Sequence, residues 1–276
     1  MPGEESGHRA ERRHRRTGAA VAHDERHVRP GRARGHQPVT AAPLDGLPQR
    51  AGGGTQAGRA PRSAGFLGML MLDTRFPRPP GDAGHPASWR LPIRFAVVAG
   101  ASPRRVVQQA DATLLAPFVA AARSLVAEGA AAITTSCGFL VRWQRELQAA
   151  LPVPVWSSSL LLLPTLPRPG VVTADAASLG AAELAAAGAD PATPVEGLAG
   201  GSHLQDTLLH DRPTLDLWQA EADAVAAAKC LVARCPQVTS IVLECTNLPP
   251  YAAAIEQATG RPVHHLMTLV HRLWGA

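Results

Sequence analysis

Two stretches of this chain, each built around a cysteine, repeat one another. With Cys137 set over Cys245, residues 132–140 (AITTSCGFL) lie over residues 240–248 (SIVLECTNL), and the match runs without a gap to Pro154-Val155 over Pro262-Val263. Ile133 meets Ile241, Leu140 meets Leu248, Trp143 meets Tyr251, Leu147 meets Ile255 and Ala150 meets Ala258. Each copy reads as an apolar strand, a cysteine where the strand ends, a helix, and a short strand opened by Pro-Val. Strands alternating with helices imply parallel sheets, and open α/β sheets bind ligands beyond the carboxyl ends of their strands. The repeat therefore predicts an α/β fold of two pseudo-symmetric lobes with mostly parallel sheets. The active site would lie in the cleft between them, with one thiol presented by each lobe.

The pattern extends upstream of both cysteines. Residues 66–72 predict a buried strand closing on Asp73-Thr74, and 93–98 a second strand. Residues 114–128 predict a helix with Leu115, Phe118, Val119 and Ala122 on its buried face. The Pro- and Gly-rich segment 75–88 is too long for a plain connector and is expected to be a binding loop or lid. The scheme then restarts. Residues 170–174 form a strand closing on Asp175, an Ala-rich helix runs to residue 187, and a short strand spans 194–198. A long helix over 214–233 would carry Leu217, Val225 and Leu231 inward. Asp73 precedes Cys137 by 64 residues, and Asp175 precedes Cys245 by 70. The first lobe is expected over residues 63–166 and the second over 167–276, with the C-terminal segment free to pack back on the first.

The net charge of +5 suggests a nucleic-acid partner until it is located. Residues 1–62 hold 12 arginines against six acidic residues and no Phe, Tyr or Trp, whereas residues 63–276 are close to neutral. A segment so poor in apolar side chains cannot offset the entropy of ordering it, so 1–62 reads as a disordered, dispensable basic extension. Without aromatic stacking residues it is not expected to bind nucleic acid. No stretch approaches a membrane span, since the greasiest, residues 159–166, is short and contains Pro164. No export signal follows the paired arginines at 12–13 and 15–16. Four cysteines in a chain of this size do not suggest a disulfide scaffold, so a reducing cytoplasm is expected. Homo-oligomerisation stays open.

Two opposed thiols suit removal of a proton from one face of a carbon and its return to the other. A free cysteine has a pKa of about 8.5, and a helix N-terminus lowers it. Both cysteines precede helices, so lowered values are expected. Thr246 and the amides after each cysteine would hold a substrate carboxylate and its developing negative charge. Lys229 is the sole lysine and has no glycine-rich phosphate loop beside it, which argues against pyridoxal phosphate. No cofactor is expected.

Residues 134–139 (TTSCGF) and 244–250 (ECTNLPP), with 70–74 (LMLDT) upstream, resemble the aspartate/glutamate racemase superfamily. That group includes cofactor-independent amino-acid racemases, hydantoin racemases, maleate isomerases and arylmalonate decarboxylases. The resemblance covers residues 65–276. It implies Cys137 and Cys245 as catalytic acid and base, Asp73, Thr74, Ser136, Gly138, Thr246 and Asn247 as substrate-binding residues, a small-molecule carboxylate as substrate, and no metal. The superfamily's first motif is usually Cys-Asn-Thr and here is Cys137-Gly138-Phe139. Its second is usually Cys-Thr followed by His or Glu, and here Asn247 follows. The implied function is a cofactor-independent racemase or epimerase of amino acids or their derivatives. A decarboxylase or cis–trans isomerase of the same architecture, or a non-catalytic ligand-binding relative, stays open.

Other residues have plainer readings beside functional ones. Cys230 and Cys235 lack the further ligands of a zinc site. His264-His265 has no counterpart in the first copy, which places Trp156-Ser157 there. Ser157-Ser158-Ser159 is as well explained by a strand ending as by a cleft wall. Arg75 and Arg78 are either solvated loop arginines or carboxylate clamps. Trp89 and Phe139 are either core or pocket.

Overall fold

The computed structural model describes residues 65–274; the expectation for residues 1–62 lies outside them. The first lobe runs β1 (Phe66–Leu72), β2 (Ile93–Val98), α1 (Leu115–Ala127), β3 (Ala130–Thr135), α2 (Gln144–Ala150) and β4 (Val155–Trp156). The second runs β5 (Pro169–Thr173), α3 (Ala181–Ala186), β6 (Val195–Gly197), α4 (His203–Leu209), α5 (Leu217–Arg234), β7 (Ser240–Leu243), α6 (Ala252–Thr259) and β8 (Val263–His264). A last helix, α7 (Leu266–Trp274), closes the described chain. The sheets have orders β2-β1-β3-β4 and β6-β5-β7-β8, all pairings parallel. The two lobes thus share one topology, as the repeat predicts.

The correspondence reaches single hydrogen bonds. The Ile133 amide donates to Pro154 O and the Ile241 amide to Pro262 O, both at 2.9 Å. Ser136 N donates to Leu70 O and Glu244 N to Val172 O, again both at 2.9 Å. The paired positions of the repeat are core: Ile133, Ile241, Leu140, Leu248, Leu147 and Ile255 are fully buried.

Strand β1 shows why its sequence is an unbroken apolar run. Phe66, Leu70 and Leu72 pack with Phe118 and Leu125 of α1, while Leu67, Met69 and Met71 pack with Leu266, Met267 and Val270 of α7. A parallel strand covered on both faces has no polar side to show. Each such side chain contributes roughly 1.5–3 kcal/mol of burial. The C-terminal helix therefore sits on the first lobe.

Two expectations shift. Helix α5 begins at Leu217, capped by Asp216, whose side chain accepts from the Trp218 and Gln219 amides. Its inward register is Ala220, Ala224, Ala228 and Leu231; Leu217, one heptad before Ala224, lies on the same face but at the first turn, where it is 50% exposed. Val225 is half-buried. Helix α4 is not foreseen, although Ser202 followed by Gln205 is the spacing of a capping box; the box itself is not made, since Ser202 gives no side-chain cap and Gln205 accepts from Gly201 N instead.

Candidate active site

Each cysteine lies two residues beyond a central strand, Cys137 after β3 and Cys245 after β7. A one-turn bond comes after each, Leu140 N to Cys137 O and Leu248 N to Cys245 O, both 3.1 Å. The amide two residues on, Phe139 or Asn247, donates to the sulfur. The lobes are tied together here by the Thr246 hydroxyl, which donates to Ser136 O at 2.5 Å. Ser159 reaches across in the same way, donating to Leu243 O at 2.7 Å.

Both thiols line one cleft, with about 390 Å³ of empty space including its open mouth. Its apolar walls include Phe76, Val107, Phe139 and Leu208. Among the described residues lining it, Arg78 is the one cation and Glu244 the one carboxyl. Arg78 comes from the 75–88 segment, which is pinned down. Asp82 and Ala83 are buried, and Ala83 N donates to Thr246 O at 3.1 Å. Arg78 stacks over Phe76 at 4.6 Å and donates to Asp82 at 3.0 Å and to Thr74 at 3.1 Å. A guanidinium has five N–H donors, so donors remain for a substrate carboxylate.

Asp82 is bonded through both oxygens. Its Oδ1 accepts from Arg78 and from the Gly84 amide at 2.6 Å, and its Oδ2 from the Asn247 side-chain amide at 2.6 Å. Asn247 in turn accepts from the Cys245 thiol at 3.5 Å. Cys245 is therefore held as a thiol at the end of an Asp82–Asn247 chain.

The electrostatics divide the two sulfurs. Burial pushes Cys137 up to about 12, reinforced by the charge of Glu244, while Arg142 and Arg78 work the other way. Burial also pushes Cys245 well above its ordinary value, but its charged neighbours Glu244 and Asp82 both oppose ionisation. Glu244 is itself raised to about 7 by burial, against the hydrogen bond from Thr173 and the charge of Arg142. Arg142 is nearly buried and pairs with Glu183 at 3.2 Å.

No family model matches the chain. It is similar to a dimethylsulfoniopropionate lyase from Durusdinium sp. clade D, at 30% identity over 213 residues, covering 72% of this chain and 70% of that protein. The chain belongs to that protein's family. It is also 27% identical over 236 residues to dimethylsulfoniopropionate lyase 5 of Emiliania huxleyi, covering 76% of this chain but 45% of that protein. Among solved structures it is similar to a sulfate-associated variant of arylmalonate decarboxylase, with a TM-score of 0.50, 19% identity, and coverage of 72% of this chain and 86% of the other. The fold is thus shared with arylmalonate decarboxylase, two four-stranded parallel sheets with flanking helices, and the chain is an enzyme.

Of the residues that the sequence singles out, this family member gathers Ser136, Cys137, Gly138, Cys245, Thr246 and Asn247 around the cleft. Asp73 and Thr74 are not among the lining residues. Asp73 ends its strand by accepting from the Gly100 amide at 2.9 Å, much as Asp175 accepts from Ala177 N at 3.1 Å. Thr74 braces Arg78. The Thr246 hydroxyl is committed to Ser136 within the protein, so it is not offered to a substrate carboxylate, while the Asn247 side chain gives one of its two N–H donors to Asp82. The expected lowering of both thiol pKa values is reversed. Only a short 3₁₀ segment stands beyond each cysteine, Gly138–Trp143 or Pro249–Tyr251, and desolvation next to a carboxyl outweighs it. Arg75 is exposed on Asp211. Trp89 is core, donating to Ala83 O at 2.7 Å, while Phe139 lines the cleft. Glu244 was not foreseen, although a lone carboxyl at the end of an apolar strand, where the other copy has Ser136, is a signal that could have found it.

Proposed function

We propose that this enzyme is a lyase that eliminates a cationic group from the β-carbon of a propionate, as dimethylsulfoniopropionate would require. Family membership at 30% identity carries the reading. The cleft supports it: one guanidinium for the carboxylate, one carboxyl for the cation, and apolar walls for methyl groups. Arg78 binds the carboxylate and stabilises the charge that moves onto it as the α-proton leaves. The Cys137 thiolate takes that proton. The C–H electron pair becomes the carbon–carbon double bond, the Cβ–S pair passes to sulfur, and neutral dimethyl sulfide and acrylate result. The proton on Cys137 then passes to solvent.

The substrate's own charge matters to this step. A thiol pushed up to about 12 is ionised to roughly one part in 10⁵ at pH 7. A sulfonium bound beside it favours the thiolate, as an opposite charge within a few ångströms does. A neutral or anionic substrate offers no such help.

The test is incubation with dimethylsulfoniopropionate and measurement of dimethyl sulfide and acrylate. Equal amounts of both are expected. Absence of both products, with solvent deuterium entering the α-carbon of an amino acid instead, would overturn the lyase reading in favour of a racemase.

A further inference from the structure

Glu244 is fully buried and lines the cleft. Its Oε2 accepts from Thr173 at 2.7 Å, while its Oε1 has no hydrogen-bond partner. A buried oxygen left without a partner is costly, so it persists either at a loss or for a ligand. Its surroundings are shaped to admit it, since a Cβ on Gly138 would collide with that oxygen. The other groups that could receive a cation here are already engaged. Asp82 is ion-paired with Arg78 and bonded through both oxygens, the Phe76 ring holds Arg78, and the Phe139 ring faces Arg142 at 5.9 Å.

We infer that the Glu244 carboxylate is the counter-charge for the onium group of the substrate and makes this site selective for β-onium propionates over neutral isosteres. The inference rests on the elimination reading for the substrate's identity. It adds a specificity-determining residue that contacts the departing group and leaves proton abstraction to the thiol. A sulfonium and a quaternary ammonium would both satisfy it, because each presents a diffuse positive charge wrapped in methyl or methylene groups.

The test compares two ligands of matched shape, 3-(trimethylammonio)propionate and 4,4-dimethylpentanoate, which differ in the charge at one atom. Affinities are measured by calorimetry on the full chain and on Glu244→Gln and Glu244→Asp. The wild-type protein is expected to prefer the cation by about tenfold or more, as close charge pairs typically achieve. Glu244→Gln should abolish the preference, and Glu244→Asp should keep part of it. Should Glu244→Gln fail to fold, the wild-type preference is followed against pH. Glu244 faces Arg142, Glu183, Cys137 and Cys245 and titrates near 7, so the preference should fade as pH drops through that value and the carboxylate gains its proton. An undiminished preference in Glu244→Gln, a preference that ignores pH, or no binding of either ligand to the wild type would overturn the inference. A Glu244-dependent preference without release of dimethyl sulfide would leave the inference standing and remove the elimination reading.

Discussion

After each cysteine the backbone does the same thing in both halves, while the groups around the two sulfurs differ in charge. Strand order, the amide directed at the sulfur and the one-turn bond beyond it all repeat. Cys137 has Arg142 and Arg78 among its charged neighbours, and Cys245 has Asp82 and the acceptor Asn247. A racemase that runs in both directions needs two thiols that can exchange the roles of acid and base. Here burial opposes ionisation of both sulfurs, but Arg142 and Arg78 offset part of that at Cys137 while Asp82 adds to it at Cys245, an inequality that suits a one-way elimination. Duplication supplied the frame, and side chains in the 75–88 segment and the Cys137 turn make the halves unequal.

The largest expected effect breaks the comparison at the base itself. Cys137→Ala should lower kcat/KM for dimethyl sulfide release by about 10³-fold, within the usual worth of a positioned base. Cys245→Ser should cost less, about 10- to 100-fold, since a hydroxyl can still donate to Asn247. Equal losses in headspace assays of the two variants would restore functional symmetry.

Position 136/244, serine in one copy and glutamate in the other, gives a pH signature. Glu244 ordinarily titrates at 4.5 and in the fold at about 7, so the folded state holds its proton more tightly than the unfolded chain. That contribution is fully present below 4.5 and is lost as pH rises through about 7, on the order of 3 kcal/mol at most. Denaturant unfolding of wild type and Glu244→Gln from about pH 4.5 to 8 should show the wild type losing more stability across that range. Parallel curves would contradict the raised value.

Thr246→Val removes the hydroxyl that joins the halves and leaves the Ser136 carbonyl without that buried donor, which should cost about 1–3 kcal/mol and lower Tm. Asp73→Asn should change least, within about 0.5 kcal/mol and without effect on turnover, because its carboxylate serves an exposed loop amide. A large loss of turnover in Asp73→Asn would return it to the substrate site.

The fold was legible because strands buried on both faces leave unbroken apolar runs, as in residues 66–72, and because Ile133, Leu147 and their partners keep the same spacing in both copies. The two cysteines were legible as a pair for the same reason. The features that escaped depend on three-dimensional company. Nothing local distinguishes Arg78, which reaches the cleft, from Arg75, which lies exposed on Asp211. Nothing local in Asn247 reports Asp82, 165 residues away, which takes one of its two side-chain donors. The thiol pKa values turned on burial and on Glu244, neither of which strand-end position reports.

The unequal thiols can be measured directly, one residue at a time. Alkylation of the free protein by iodoacetamide, tracked peptide by peptide across pH, reads how readily each sulfur ionises, with Cys230, which is exposed, and half-buried Cys235 as internal references. After Cys230, Cys137 is expected to react ahead of Cys245 at every pH, with its rate rising at lower pH than that of Cys245. Reaction of Cys245 first, or of both at one rate with one pH profile, would contradict the assignment of Cys137 as the base.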